Sequence, residues 1–171
     1  MIAVVDYGAG NLFSVKLTAE KTELQQADAI ILPGVGAFPD AMRMLNATGL
    51  TELLREEAQK KPFLGICLGM QMLFETSCEF EITAGLGLIP GEIVKIPDTG
   101  LKIPHMGWNQ LEFNRKCPLL DGVAENDSVY FVHSYMAQTA QENVSAYCDY
   151  GVKVPALVWK NQIYGAQFHP E

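Results

Sequence analysis

The sequence is short of cations and has no long apolar run. Lys and Arg total 12 against 20 Asp and Glu in 171 residues, a formal net charge of −8. Phosphate backbones are bound by clustered Lys and Arg, so this balance argues against nucleic acid as the main partner. It leaves room for a basic protein partner or a small zwitterionic ligand. No apolar stretch approaches the roughly twenty residues of a membrane span. The opening Met1-Ile2-Ala3-Val4-Val5-Asp6 lacks the basic start and long apolar core of a secretion signal. Cys67, Cys78, Cys117 and Cys148 contain no C-x-x-C pair and have no histidine at ligand spacing. That argues against a zinc site and against a disulfide framework. The expectation is a reduced, soluble, cytoplasmic protein with no metal and no cofactor.

With 49% apolar and 19% charged residues, the chain fits none of the disordered, collagen-like or coiled-coil classes. No internal repeat, low-complexity tract or linker divides it, so one domain over 1–171 is expected. Four apolar runs read as buried strands: Ile2–Val5, Ala29–Leu32, Phe63–Ile66 and Val129–Val132. Segments of helical character separate the first three. In Ala41–Lys60, for example, Met42, Leu45, Leu50, Leu53 and Leu54 keep amphipathic spacing. Short continuous apolar strands alternating with helices predict an α/β fold, an open, mostly parallel twisted sheet with helices on both faces. The second half is richer in Gly and Pro, and strand-like pieces at Glu92–Ile96, Leu157–Lys160 and Ile163–Phe168 predict antiparallel hairpins added to the sheet edge. Asn11–Lys16 looks like the start of a crossover helix, yet Leu17–Ala27 leaves little room to complete one before the next strand.

The strongest chemical signal is Gly65-Ile66-Cys67-Leu68-Gly69, a G-x-C-x-G sequence between an apolar strand and the helix-like Leu68–Phe74. This is the nucleophile-elbow pattern with Cys in the Ser position. Such a turn needs glycines where backbones crowd. It also lifts the sulfur to a helix N-terminus, which favours thiolate. The N–H of Leu68 would then point at a developing oxyanion. The bland alternative is a buried structural Cys in a strand–turn. Only His105, His133 and His169 can serve as a base. His169-Pro170-Glu171 places a carboxylate two residues on, where it can orient the imidazole. A surface histidine beside a solvated glutamate is the commoner meaning of such a tripeptide. Gly34-Val35-Gly36 can present a second oxyanion N–H, or can simply end a strand. Gly8-Ala9-Gly10 is no dinucleotide fingerprint, because Phe13 stands where the third Gly belongs, and no P-loop Lys is present.

Taken with His169-Pro170-Glu171, the Gly65–Gln71 motif resembles the class I glutamine amidotransferases, whose triad is Cys, His and Glu. Asp6–Leu12, Leu32–Phe38, Pro104–Asn109 and Phe131–Tyr135 narrow the resemblance to the glutaminase subunits of imidazole glycerol phosphate synthase, over Asp6 to Glu171. Most of the superfamily carries Pro-Gly-Gly at the oxyanion turn; Val35 occupies the third place here, as in these subunits, and the resemblance implies a peptide flip to complete the hole. It further implies a flavodoxin-like sheet, with Cys67 attacking the side-chain amide of glutamine, His169 moving the protons and Glu171 orienting His169. Val35 and Leu68 would supply oxyanion N–H groups, and Gly34, Gly36, Gln71, Glu79, Ser134 and Tyr135 would contact the substrate. A helix-surface amide is the ordinary reading of Gln71, and a solvated loop charge that of Glu79. Ammonia would pass to a (β/α)8-barrel cyclase in a heterodimer, docked on Gly10, Asn11, Met106, Trp108 and Tyr130. Another amidotransferase subunit, a non-catalytic regulatory subunit and a free-standing cysteine hydrolase are the competing readings. The family pattern also predicts residues missing between Lys16 and Leu17 and after Glu171.

Overall fold

The computed structural model describes residues 1–8 and 17–170, with the backbone alone described at Leu17. The first half runs β1 (Ile2–Val5), β2 (Leu17–Thr18), α1 (Lys21–Gln26), β3 (Ala29–Leu32), α2 (Phe38–Ala47), α3 (Thr51–Glu57), β4 (Phe63–Ile66) and α4 (Leu68–Gln71). The second half is almost entirely β. It begins with β5 (Thr76–Ser77), β6 (Thr83–Ala84), β7 (Glu92–Lys95), β8 (His105–Gln110) and β9 (Glu112–Phe113). It closes with β10 (Ser128–His133), β11 (Tyr135–Gln138), β12 (Val144–Asp149), β13 (Lys153–Lys160) and β14 (Ile163–Ala166).

The main sheet has the order β2-β1-β3-β4-β14-β13-β12-β9. Its first five strands are mutually parallel, and β13, β12 and β9 extend it antiparallel from β14. The parallel part is the doubly wound order 2-1-3-4-5 of flavodoxin-like sheets. The runs expected as β1, β3 and β4 are strands over the residues named, because strands paired on both sides inside a sheet are apolar throughout. Leu157 and Val158, neighbours on β13, belong to different apolar clusters, so the sheet has a core on each face. One cluster takes the buried side chains of all four described α-helices, including Leu24, Phe38, Leu45, Leu54 and Met70. The other is built from strand residues and turns, with Phe131, Cys148, Leu157 and Phe168 at its centre.

Four expectations change in detail, the first being that Glu92–Ile96 joins the edge of the main sheet: β7 pairs instead with β11 and β5 in a separate four-stranded sheet. The helical stretch Ala41–Lys60 is two helices, parted at Gly49, whose φ of +67° is the left-handed stop that glycine accepts without strain. The fourth apolar run lies in β10, which pairs with β8 in a separate two-stranded ribbon, so only Phe131 and His133 are buried. The short Leu17–Ala27 stretch holds a two-residue strand and a six-residue helix. The Lys16–Leu17 junction and the chain beyond Glu171 fall outside the described residues.

Candidate active site

Ligands of open α/β sheets bind outside the carboxyl ends of the parallel strands. Here those ends carry Tyr7-Gly8 after β1, Pro33–Gly36 after β3, Cys67 after β4 and Gln167–His169 after β14. Cys67 is the hinge between β4 and α4, with φ 54° and ψ −113°, a conformation that side-chain-bearing residues rarely adopt. Its N–H donates to the Ala166 carbonyl at 2.7 Å, continuing the parallel β4–β14 ladder one residue past the strand. That ladder is why residues a hundred positions apart in sequence meet. The backbone crowding explains the flanking glycines. A Cβ on Gly65 would lie 2.5 Å from the Gly69 carbonyl oxygen, and one on Gly69 only 1.9 Å from that of Leu32.

The cleft at this edge has a volume of about 380 Å³. It is lined by Val35, Gly36, Cys67, Leu68, Gln71, Glu79, Ser134, Tyr135 and His169, all singled out from the sequence, and by Pro104, Val132 and His133, which were not assigned to it. Gly34 lies behind the wall, packed so tightly that a Cβ would sit 2.8 Å from the Gly69 nitrogen and the Tyr7 hydroxyl. Cys67 is buried at 7% exposure while Val35 stands half open at 51%. His169 is half-buried and held by its N–H, which donates to the Tyr130 carbonyl at 3.1 Å. Glu171, Gly10 and Asn11 fall outside the described residues.

Two of the polar wall residues, Gln71 and Glu79, are tethered to the fold. Gln71 is no surface amide: it is 4% exposed, and its Nε2 donates to the Tyr135 carbonyl at 3.1 Å and to Gln167 Oε1 at 3.0 Å. Gln167, fully buried, donates in turn to Cys67 Sγ at 3.9 Å. Glu79 is no free loop charge either. Its Oε2 accepts the Phe38 N–H at 2.7 Å, an anion on the first turn of α2. Burial, and then the carboxylate of Glu79, push the Tyr135 phenol above its ordinary range. Behind the turn that follows β3, Tyr7 donates its hydroxyl to the Pro33 carbonyl at 3.0 Å, and burial pushes that phenol up to about 12. Among the described residues, no group of His, Cys, Asp and Glu is placed to hold a metal ion.

Beside the cleft, the β8–β10 ribbon turns one face outward. Met106 and Trp108 of β8 stand opposite Val132 and Tyr130 of β10, and Trp108 meets Tyr130 edge-on at 5.7 Å between ring centroids. Trp108 is 73% exposed and Met106 59%, so Trp108 is not a core tryptophan. Val132 joins this apolar face to the cleft. The sequence pattern assigns no role to Gln167 or Tyr7, although Tyr7 lies within the Asp6–Leu12 motif and Gln167 two residues before His169.

On this doubly wound sheet a strained cysteine elbow and a histidine just beyond the adjacent parallel strand β14 line one cleft, an arrangement of the kind α/β enzymes use. Residues 7–171 match the family model described as glutamine amidotransferase class-I. The chain belongs to the class I glutamine amidotransferase family. It is 50% identical to imidazole glycerol phosphate synthase subunit HisH of Shouchella clausii (strain KSM-K16), covering all of this chain and 90% of that one. It is 48% identical to the subunit of the same name from Listeria innocua, covering all of this chain and 88% of that one. The aligned span with the Shouchella protein is 188 residues against 171 here, so that relative carries positions without a counterpart in this chain. A crystal structure of a glutamine amidotransferase shares the fold, with a TM-score of 0.74 at 16% identity, over 98% of this chain and 89% of that one.

Proposed function

We propose that this chain is the glutaminase subunit of an imidazole glycerol phosphate synthase, a one-domain cytoplasmic protein that hydrolyses glutamine and delivers the ammonia to a barrel-shaped cyclase subunit in a heterodimer. The observation that carries the reading is the strained Cys67 elbow sharing a cleft with His169, Leu68 and Val35. Cys67 gives its proton to His169 as its Sγ attacks Cδ of the glutamine side chain, and the carbonyl oxygen takes the negative charge. Leu68, the first residue of α4, has no carbonyl within its own helix to receive its N–H, which suits it to that oxyanion. Val35 is the second donor, after the turn that follows β3 reorients its N–H. His169, oriented by Glu171, gives a proton to the departing nitrogen, the C–N bond breaks, and ammonia and a thioester remain. Water deprotonated by His169 then cleaves the thioester to glutamate, restoring the thiol. The Glu79 carboxylate suits the α-ammonium of glutamine, and Gln71, Ser134 and Tyr135 surround the α-carboxyl, with Gly34 and Gly36 shaping the turn.

The partner docks on the outward face of the ribbon, through Met106, Trp108 and Tyr130 with Gly10 and Asn11. The test is glutamate release by the purified chain alone and with an imidazole glycerol phosphate synthase cyclase. Hydrolysis that rises when the cyclase co-elutes is expected; full hydrolysis without it points to a free-standing hydrolase, and none in either case overturns the reading. Trp108→Ala is expected to weaken the complex by about 30-fold, as loss of an exposed aromatic anchor does. Calorimetric titration reads that change, and an unchanged Kd moves the interface elsewhere.

A further inference from the structure

The two histidines that the mechanism leaves unused form a buried pair at the cleft, with His133 in its lining. His105 is 2% and His133 6% exposed, and they face each other across the β8–β10 ribbon. Their proton positions follow from the ends of the chain. His133 Nδ1 lies 2.8 Å from the Tyr135 carbonyl oxygen, so Nδ1 carries the hydrogen and donates. The neutral ring therefore accepts at Nε2, and His105 Nδ1, 3.1 Å away, is the donor. His105 Nε2 is then an acceptor, matched by the Asn109 Nδ2 at 3.3 Å, which also donates to the Asp149 carbonyl at 2.8 Å. Burial lowers the pKa of both rings, His133 to about 4, so each is uncharged at neutral pH. Phe131 and Tyr150 stack on His105 with centroids 4.7 and 3.9 Å away.

The Tyr135 carbonyl that receives His133 also receives Gln71 Nε2, and Gln71 aligns the Gln167 amide that donates to Cys67 Sγ. We propose that His133 and His105 are positioning residues for the nucleophile: they fix the Tyr135 carbonyl, and through Gln71 and Gln167 they hold an amide N–H on the sulfur of Cys67. The relay starts at Asn109, which shares the inner face of β8 with His105 and is the chain neighbour of the exposed Trp108 on the opposite face. This rests on the glutaminase reading above.

The test uses the complex with the cyclase. His133→Leu removes both hydrogen bonds at nearly constant volume, and kcat for glutamine hydrolysis is expected to fall about tenfold with KM within about twofold, the size of one lost structural hydrogen bond. His133→Asn has the shape of the leucine variant but puts an N–H near the position of Nδ1, and it should recover most of the loss. His105→Phe keeps the ring stack, loses the donor and should lower kcat about threefold even if His133→Leu does not fold. Wild-type kcat in His133→Leu or His105→Phe overturns the proposal, as does an asparagine variant no better than leucine. A wild-type complex that releases no glutamate defeats the glutaminase reading itself, a result distinct from either.

Discussion

Cys67→Ala in complex with the cyclase should hydrolyse glutamine at least about 10⁴-fold more slowly than the wild type, because a covalent route loses its nucleophile and no second thiol stands in the cleft among its described residues. Cys78, the exposed thiol of the adjoining segment, does not line the cleft. The loss of activity comes without loss of fold. Cys67 holds φ 54° and ψ −113° whichever side chain it carries, and a non-glycine residue held off the allowed regions costs about 1–3 kcal/mol. Cys67→Gly removes that cost while gaining some freedom in the unfolded chain, so it should raise stability by about 1 kcal/mol and Tm by about 2–4 °C. The inactive variant would be the more stable one, the signature of strain kept for chemistry. Glutamate release and thermal melts on the two variants check it. Comparable hydrolysis by Cys67→Ala ends the thioester mechanism, and a glycine variant that melts below the alanine variant shows that the turn is not strained.

The parts of this molecule that were legible in the sequence are those where one force dominates. β1, β3 and β4 are paired on both sides, with most of their residues buried or partly buried, so Ile2–Val5, Ala29–Leu32 and Phe63–Ile66 are unbroken apolar runs. The elbow was legible because close backbone packing at Gly65 and Gly69 excludes every side chain. The second half was harder. In β12 the sequence Val-Ser-Ala-Tyr-Cys-Asp buries Ser145 with Val144 and Ala146, so polarity and burial disagree. In β13 Pro155 interrupts the expected pattern, and the strand was anticipated only from Leu157, although it starts at Lys153. The interior polar residues were hidden for the same reason. Gln167 sits at zero exposure because Gln71 and Cys67 use its amide, and His105 and His133 are buried because they satisfy each other. Partners that far apart in sequence meet only through strand register, which composition and spacing do not disclose.

The largest structural effect is expected at Gly69. An alanine Cβ there would lie 1.9 Å from the Leu32 carbonyl oxygen, 2.8 Å from its carbon and 3.1 Å from the Pro33 carbonyl carbon. All three atoms are backbone, and Leu32 is paired into the sheet with Gly65, so no rotamer change relieves the clash. Either α4 lifts away from β3 or the end of β3 bends. Both outcomes separate the turn at Val35 from the N-terminus of α4, the two proposed sources of oxyanion N–H groups. Overpacking that cannot relax exceeds the usual 1–3 kcal/mol, so Gly69→Ala should cost more than about 3 kcal/mol and at least about 6 °C in Tm. Gly87→Ala supplies the contrast, since its Cβ meets no atom within 4 Å and only the φ of +66° opposes it. That variant should lose about 1 kcal/mol. Thermal melts of the two proteins decide the matter: equal losses would mean that α4 and β3 are free to move apart, and the close packing assigned to the G-x-C-x-G elbow would fall with that result.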